Sequence, residues 1–224
     1  MAKTSDYYTP LEPNNFYHVY NRTVGKQNLF LNHGNYEFFL RKYDEYLSNY
    51  VETHAFCLLN NHFHLLIFVK SWDNILERFR ELEKEKSDLI TFEKLSNLAG
   101  KNPSDIISHQ FQKFFQSYSM AFNKQHARHG TLFQTPFKRS WIDNDEYLKY
   151  MVYYIHSNPL KHNLFLDFQH YKWSSFQRIL DDKPTKLMKR EVLSWFGGKE
   201  DYIRFHLENP SLDNIKNITI DDDA

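Results

Sequence analysis

Two histidines stand one residue apart in Leu58-Leu59-Asn60-Asn61-His62-Phe63-His64-Leu65-Leu66-Ile67-Phe68-Val69, at the head of an apolar, β-prone run. On a strand, side chains at i and i+2 share a face, so His62 and His64 would present two imidazoles side by side, ~6–7 Å apart along the backbone. Imidazole is a common metal ligand, and two on one strand supply two-thirds of an open catalytic metal site. A second constellation lies downstream. Tyr154 and Asn158 are four residues apart in a helical pattern and therefore share a face. A tyrosine hydroxyl can become a covalent nucleophile, and an asparagine carbonyl oxygen suits a hard divalent cation. His62, His64 and Asn158 would leave positions on such an ion open for phosphate oxygens, and the ion would polarise a scissile phosphate for in-line attack by Tyr154. Each group also has a plainer reading. The histidines can be polar residues at the start of a strand, Asn158 a helix-terminal residue ahead of Pro159, and Tyr147, Tyr150 and Tyr154 an aromatic packing stripe. Tyr153 is the rival nucleophile, with the poorer ligand Ser157 four residues on.

A basic cluster follows the long second helix: Lys124, His126, Arg128, His129, Lys138 and Arg139, interleaved with Phe133, Phe137 and Trp141. Cations alternating with aromatic rings suit phosphate contact and base stacking without sequence preference. They equally suit a solvated helix end. A smaller patch, Lys161-His162, comes directly after the tyrosine helix, and Arg22 closes the first strand as a further candidate contact.

The elements that must position these groups are legible in the periodicity. A polar lead-in over 1–15 precedes a strand over 16–22. Tyr36, Phe39, Leu40, Tyr43, Tyr46, Leu47 and Tyr50 recur at helical spacing, predicting a helix over about 35–50 capped by Asn32 or Asn35. A strand over 51–59, a tight Asn60-Asn61 turn of the kind that favours positive φ, and a strand over 62–69 form a central hairpin. Residues 77–105 read as an insertion, most irregular over 83–103. A helix runs from 104 to about 125, with Gly130 a stop beyond it. A fourth strand over 131–142 is bent at Pro136. Asp143 and Glu146 resemble a capping box for a helix over 145–158 that Pro159 ends. A helical extension over 179–224 has a pattern around 188–208. The order β-α-β-β-α-β-α predicts an α+β, ferredoxin-like fold, with a four-stranded antiparallel sheet and helices on one face.

Bulk properties bound the function classes. The chain has 224 residues, 41% hydrophobic and 17% aromatic, with 20 Phe and 15 Tyr against 6 Gly and 7 Pro. That composition buries a core and excludes a disordered or loop-rich chain. Basic and acidic residues balance at 28 each, so any nucleic-acid contact rests on local patches. The single Cys57 lies in an apolar run and reads as a buried small hydrophobe in a reducing compartment. With no apolar signal core and no stretch near ~18 apolar residues, a soluble cytoplasmic protein with no membrane partner is expected.

Five pieces in order carry a family resemblance: Asn61-His62-Phe63-His64, Gly130-Thr131-Leu132-Phe133-Gln134, Tyr154-Ile155-His156-Ser157-Asn158-Pro159, Lys161-His162 and Tyr171-Lys172-Trp173-Ser174-Ser175. Together they resemble the single-tyrosine HUH transposases, most of all the REP-associated tyrosine transposases, over about residues 16–178. The resemblance implies that His62 and His64, with Asn158 as third ligand, hold Mg²⁺ or Mn²⁺. It implies that Tyr154 attacks a DNA phosphate to form a 5′-phosphotyrosine and a free 3′-hydroxyl. The implied substrate is single-stranded DNA beside a small hairpin such as a repetitive extragenic palindrome, bound by a monomer or homodimer at the bacterial nucleoid. The insertion over 77–105 and the region after 178 depart from a compact family core, and the latter has no assigned role.

Overall fold

A computed structural model of the chain describes residues 8–25, 27–85, 98, 100–208 and 211–213. Four strands form one antiparallel sheet: β1 (Phe16–Arg22), β2 (Val51–Leu58), β3 (His62–Val69) and β4 (Lys138–Ile142), in the spatial order β2-β3-β1-β4. This is the ferredoxin-like order, and the expected α+β fold is the one observed. Register places Tyr20 opposite His64, Arg22 opposite His62, and Tyr20 opposite Lys138 on the other side.

The side-chain period of two sorts each strand between two cores. Phe63, Leu65, Ile67 and Val69 of β3, with Tyr17 and Val19 of β1, point into the larger core. Helices α1 (His33–Leu47), α2 (Trp72–Lys84) and α3 (Pro103–Gln125) cover that face with Phe39, Tyr43, Ile75, Phe79, Phe111, Phe114 and Tyr118. Leu66 of β3 and Ala55 and Cys57 of β2 point the opposite way, into a second core. There α4 (Glu146–Lys161) packs with α5 (Phe176–Leu180), α6 (Lys189–Phe196) and α7 (Lys199–Leu207), burying Met151, Val152, Ile155, Phe176, Val192 and Tyr202. The helices expected on one face are those of the first core, and the tyrosine helix with its extension covers the other.

Several boundaries differ from expectation for identifiable reasons. Asn32 rather than Asn35 caps α1, its side chain accepting from the Asn35 N–H, so the helix starts two residues early. The 60–61 turn closes through Leu59 N–H donating to the His62 carbonyl, yet neither asparagine has positive φ. Its carbonyls are held instead by the neighbouring loop: Leu29 and Phe30 donate to the Asn60 carbonyl and Thr23 to that of Asn61. The start of the 77–105 stretch is helical in α2, and α3 opens at Pro103 behind an Asn102 cap, while 86–97 lie outside the described residues. The strand expected over 131–142 forms only from 138. Leu132 and Phe133 are buried from a loop, joined to the sheet by a single bridge between Thr23 and Phe133. No side-chain capping bond forms at the start of α4; Asn144 Oδ1 accepts from the Glu146 N–H just ahead of it. That helix runs through Pro159, since a proline costs one backbone bond and the following turn still closes with His162 N–H donating to the Asn158 carbonyl. Gly197, at φ 93, splits the pattern over 188–208 into α6 and α7.

Candidate active site

The second face of the sheet carries the site. Phe16, His18, Tyr20 and Arg22 alternate on β1, beside His62, His64, Leu66 and Phe68 on β3. His62 and His64 lie with ring centroids 5.2 Å apart and planes at 86°. Tyr20 is inserted next to both, its ring 5.8 Å from that of His62 and 4.9 Å from that of His64. His18 Nε2 lies 3.0 Å from His64 Nδ1. Helix α4 then lays Tyr154 edge-on over this group, its ring 5.6 Å from His64 and 5.5 Å from His18. Two turns further along the same face, the His162 ring meets that of His62 at 4.7 Å. Asn158 stands one turn from Tyr154 and one turn from His162 along the same helix.

The hydrogen bonds orient the donors. Asn61 Oδ1 accepts from His62 Nδ1 at 2.6 Å, which leaves Nε2 as that ring's lone-pair atom. A proton on His64 Nδ1, given to His18 Nε2, leaves His64 in the same tautomer. Asn158 Nδ2 donates to the Tyr154 carbonyl at 2.7 Å, which fixes the amide and leaves its Oδ1 as an acceptor. Two imidazole nitrogens with their other ring nitrogens engaged, plus one amide oxygen, suit a divalent cation. Among the described residues no three side chains drawn from His, Cys, Asp and Glu converge to hold a metal ion, so a three-ligand set here would need the Asn158 oxygen. All four groups are buried, with Tyr154 2% exposed, His62 4%, His64 0% and Asn158 1%.

The rival tyrosine is turned away. Tyr153 packs against Phe168, Phe205 and His206 in the second core, and burial raises its pKa. Nucleophilic use would have to overcome that.

The basic candidates divide. Arg22, Lys138, Lys161 and His162 surround the histidine end of the sheet. Lys161 Nζ lies 4.3 Å over the Tyr154 ring and Lys138 Nζ 5.0 Å over Tyr20. Arg128 is engaged in the fold, donating to Gln27 Oε1, Asn123 Oδ1 and the Thr131 carbonyl. Arg139 donates to the Thr9 carbonyl and stacks on Phe137. Lys124 and His129 are exposed around the end of α3. Reading the sequence missed His18 and Tyr20. Their signal was alternation along β1, which becomes meaningful only once β1 is known to pair with β3.

The sheet order and the helices on both faces define a ferredoxin-like α+β protein with a histidine–tyrosine cluster under its last long helix. Among solved structures the chain matches a REP-associated tyrosine transposase bound to a REP hairpin, at a TM-score of 0.55 and 15% identity over 80% of this chain and 86% of that one. That likeness is one of fold. No protein-family model matches the sequence, and no curated protein does.

Proposed function

We propose that the protein cuts and rejoins single-stranded DNA beside a small hairpin, with Tyr154 as the nucleophile and His62, His64 and Asn158 as holders of Mg²⁺ or Mn²⁺. The observation that carries this is the packing of Tyr154 directly on His64 within one chain. It also supports an active monomer, since no second copy is needed to bring the two together. The likeness in fold to a transposase solved on a hairpin supports the substrate class.

When bound, the cation neutralises and aligns the scissile phosphate. The chain supplies the rest. Asn61 and His18 keep the two imidazoles in the ligating tautomer and hold their planes. Tyr154 loses its phenol proton as Oη bonds to phosphorus; the phosphorus–O3′ bond breaks and the 3′-oxygen takes up a proton. Lys161 Nζ, 4.3 Å over the ring, sets a positive charge beside that step. Since Tyr154 is buried, admitting a phosphate requires the groups packed around it to shift. Rejoining reverses the same exchange and needs no nucleotide.

The test is to mix the full chain with hairpin-bearing single-stranded DNA and Mn²⁺ and look for an SDS-resistant adduct. It is expected from the wild type and from Tyr153→Phe, and not from Tyr154→Phe or with a chelator. Adduct from Tyr154→Phe but not Tyr153→Phe would overturn the assignment of the nucleophile. DNA bound yet never cut would make the protein a catalytically idle hairpin binder.

A further inference from the structure

A cavity of about 520 Å³ lies between α3 and the loop over 130–137, apart from the histidine–tyrosine cluster. We infer that it is a pocket for one unpaired nucleobase of the bound strand, an inference that rests on the single-stranded-DNA reading above. Its wall is aromatic: Phe115, Phe133 and Phe137 line it. Its rim is neutral and polar. Gln112 and Gln116 project from successive turns of α3, both exposed, and Gln134 faces them from the loop. Among the described residues the one charge in the lining is Arg139, whose Nε is given to the Thr9 carbonyl and whose guanidinium lies over the Phe137 ring.

That chemistry selects among ligands. A phosphate or carboxylate would need several cations, and the described lining holds one guanidinium, with its Nε bonded to the Thr9 carbonyl and its carbon over the Phe137 ring. A purely aliphatic ligand would cover the rim amides without offering them a partner in place of water. A planar heteroaromatic ring with donors and acceptors on its edge meets both demands: its faces stack on aromatic side chains and its edge pairs with glutamine amides. A base-sized ring fills only part of the cavity, which leaves room for its sugar.

Placement favours a base of the same strand. The loop that forms the pocket is bonded to the end of β1, with Gln134 N–H donating to the Arg22 carbonyl and Val24 N–H to that of Leu132. Arg22 in turn is opposite His62. The pocket and the candidate metal ligands are therefore neighbours through one strand end, and a strand lying along Arg22 would pass both. Extruding an unpaired base costs little, because it has no partner to leave.

The experiment uses the full chain and a randomised single-stranded 40-mer library, with bound molecules recovered and sequenced. Bound molecules should share a fold-back stem, and at one unpaired position beside the stem one base should be enriched about 10-fold over the others, the discrimination of one good amide–base pair. The Gln112→Ala/Gln116→Ala double variant should keep the stem enrichment and drop that preference to about 2-fold or less. Both side chains are exposed, so its melting temperature should match the wild type. Stem enrichment with no preferred unpaired base, or a preference that the double variant retains, overturns the pocket and leaves the hairpin reading standing. Absence of any enrichment overturns both.

Discussion

His18 on β1 and His64 on β3 stand in register-adjacent positions with their rings nearly parallel, 14° apart, and Nε2 3.0 Å from Nδ1. This contact reaches across two strands and ends beneath Tyr154. A ligating imidazole is oriented by what its other nitrogen touches, and loss of such a partner costs about 10–100-fold in metal affinity or activity. His18→Ala should therefore raise the Mn²⁺ concentration needed for half-maximal adduct formation by about 10–100-fold. Activity should recover partly at saturating Mn²⁺. An unchanged metal titration would remove His18 from the site.

The proposed donor set also ranks the metals. Two imidazole nitrogens and one amide oxygen are softer and more nitrogen-rich than the oxygen shells that Mg²⁺ prefers. Mn²⁺ should support faster adduct formation than Mg²⁺ at equal concentration, and His62→Asp, which supplies a carboxylate, should narrow that difference. Equal rates with both metals in both proteins would argue against His62 as a ligand.

Phe63 stands between the two histidines in sequence but serves the opposite core. It is fully buried, with ring centroids 5.0 Å from Phe39 and 5.9 Å from Phe115. Phe63→Ala should cost about 3–5 kcal/mol of stability by leaving a cavity. His62→Ala, one residue away on the other face, should abolish adduct formation with little change in the denaturation midpoint. Urea unfolding of the two variants separates the roles.

What was legible in the chain follows from what is local. The spacing of Tyr36, Phe39, Tyr43 and Leu47 disclosed the buried face of α1, and His62-Phe63-His64 disclosed two imidazoles on one face of β3, because both patterns depend only on helix or strand period. Tyr154 and Asn158 were paired in the same way. His18 was not, because its meeting with His64 depends on strand register across 46 residues. Leu132 and Phe133 read as strand because buried aromatic and aliphatic residues look alike in strands and in loops that plug a core. The extension had no readable role because its chief contact is long-range: Tyr202 and His206 on α7 meet His156 on α4.

That contact makes a pH prediction. His156 bonds His206 at 3.0 Å, with Tyr202 Oη at 3.2 Å and Ser175 Oγ at 2.7 Å around it, all in the second core. Burial holds the pKa of His156 well below 6.5 and that of His206 at about 4; His54, against Glu191, is also lowered by burial. In the unfolded chain these groups titrate near 6.5. Below that pH the unfolded chain binds more protons than the folded one, so stability is full above about pH 7.5 and falls as pH drops through 6.5 toward 4. His206 contributes about 1.4 kcal/mol per pH unit in that window, and His156 and His54 add to the fall in the same direction. His206→Gln should flatten the fall by about one proton's worth, read from urea midpoints between pH 8 and 5.

The two kinds of basic residue should separate under salt. Lys161 is exposed and its ammonium lies 4.3 Å over the Tyr154 ring, which puts a cation beside the proposed phosphate position. Lys161→Ala should leave the melting temperature unchanged, slow adduct formation, and reduce the slope of log binding constant against log salt by about 1. Arg128 has its guanidinium spread over Gln27, Asn123 and the Thr131 carbonyl, tying the loop after β1 to the end of α3. Arg128→Ala should lower stability by about 1 kcal/mol or more and leave the salt slope nearly intact. A salt slope that falls with Arg128→Ala and not with Lys161→Ala would place the strand along α3 and its following loop rather than over Tyr154.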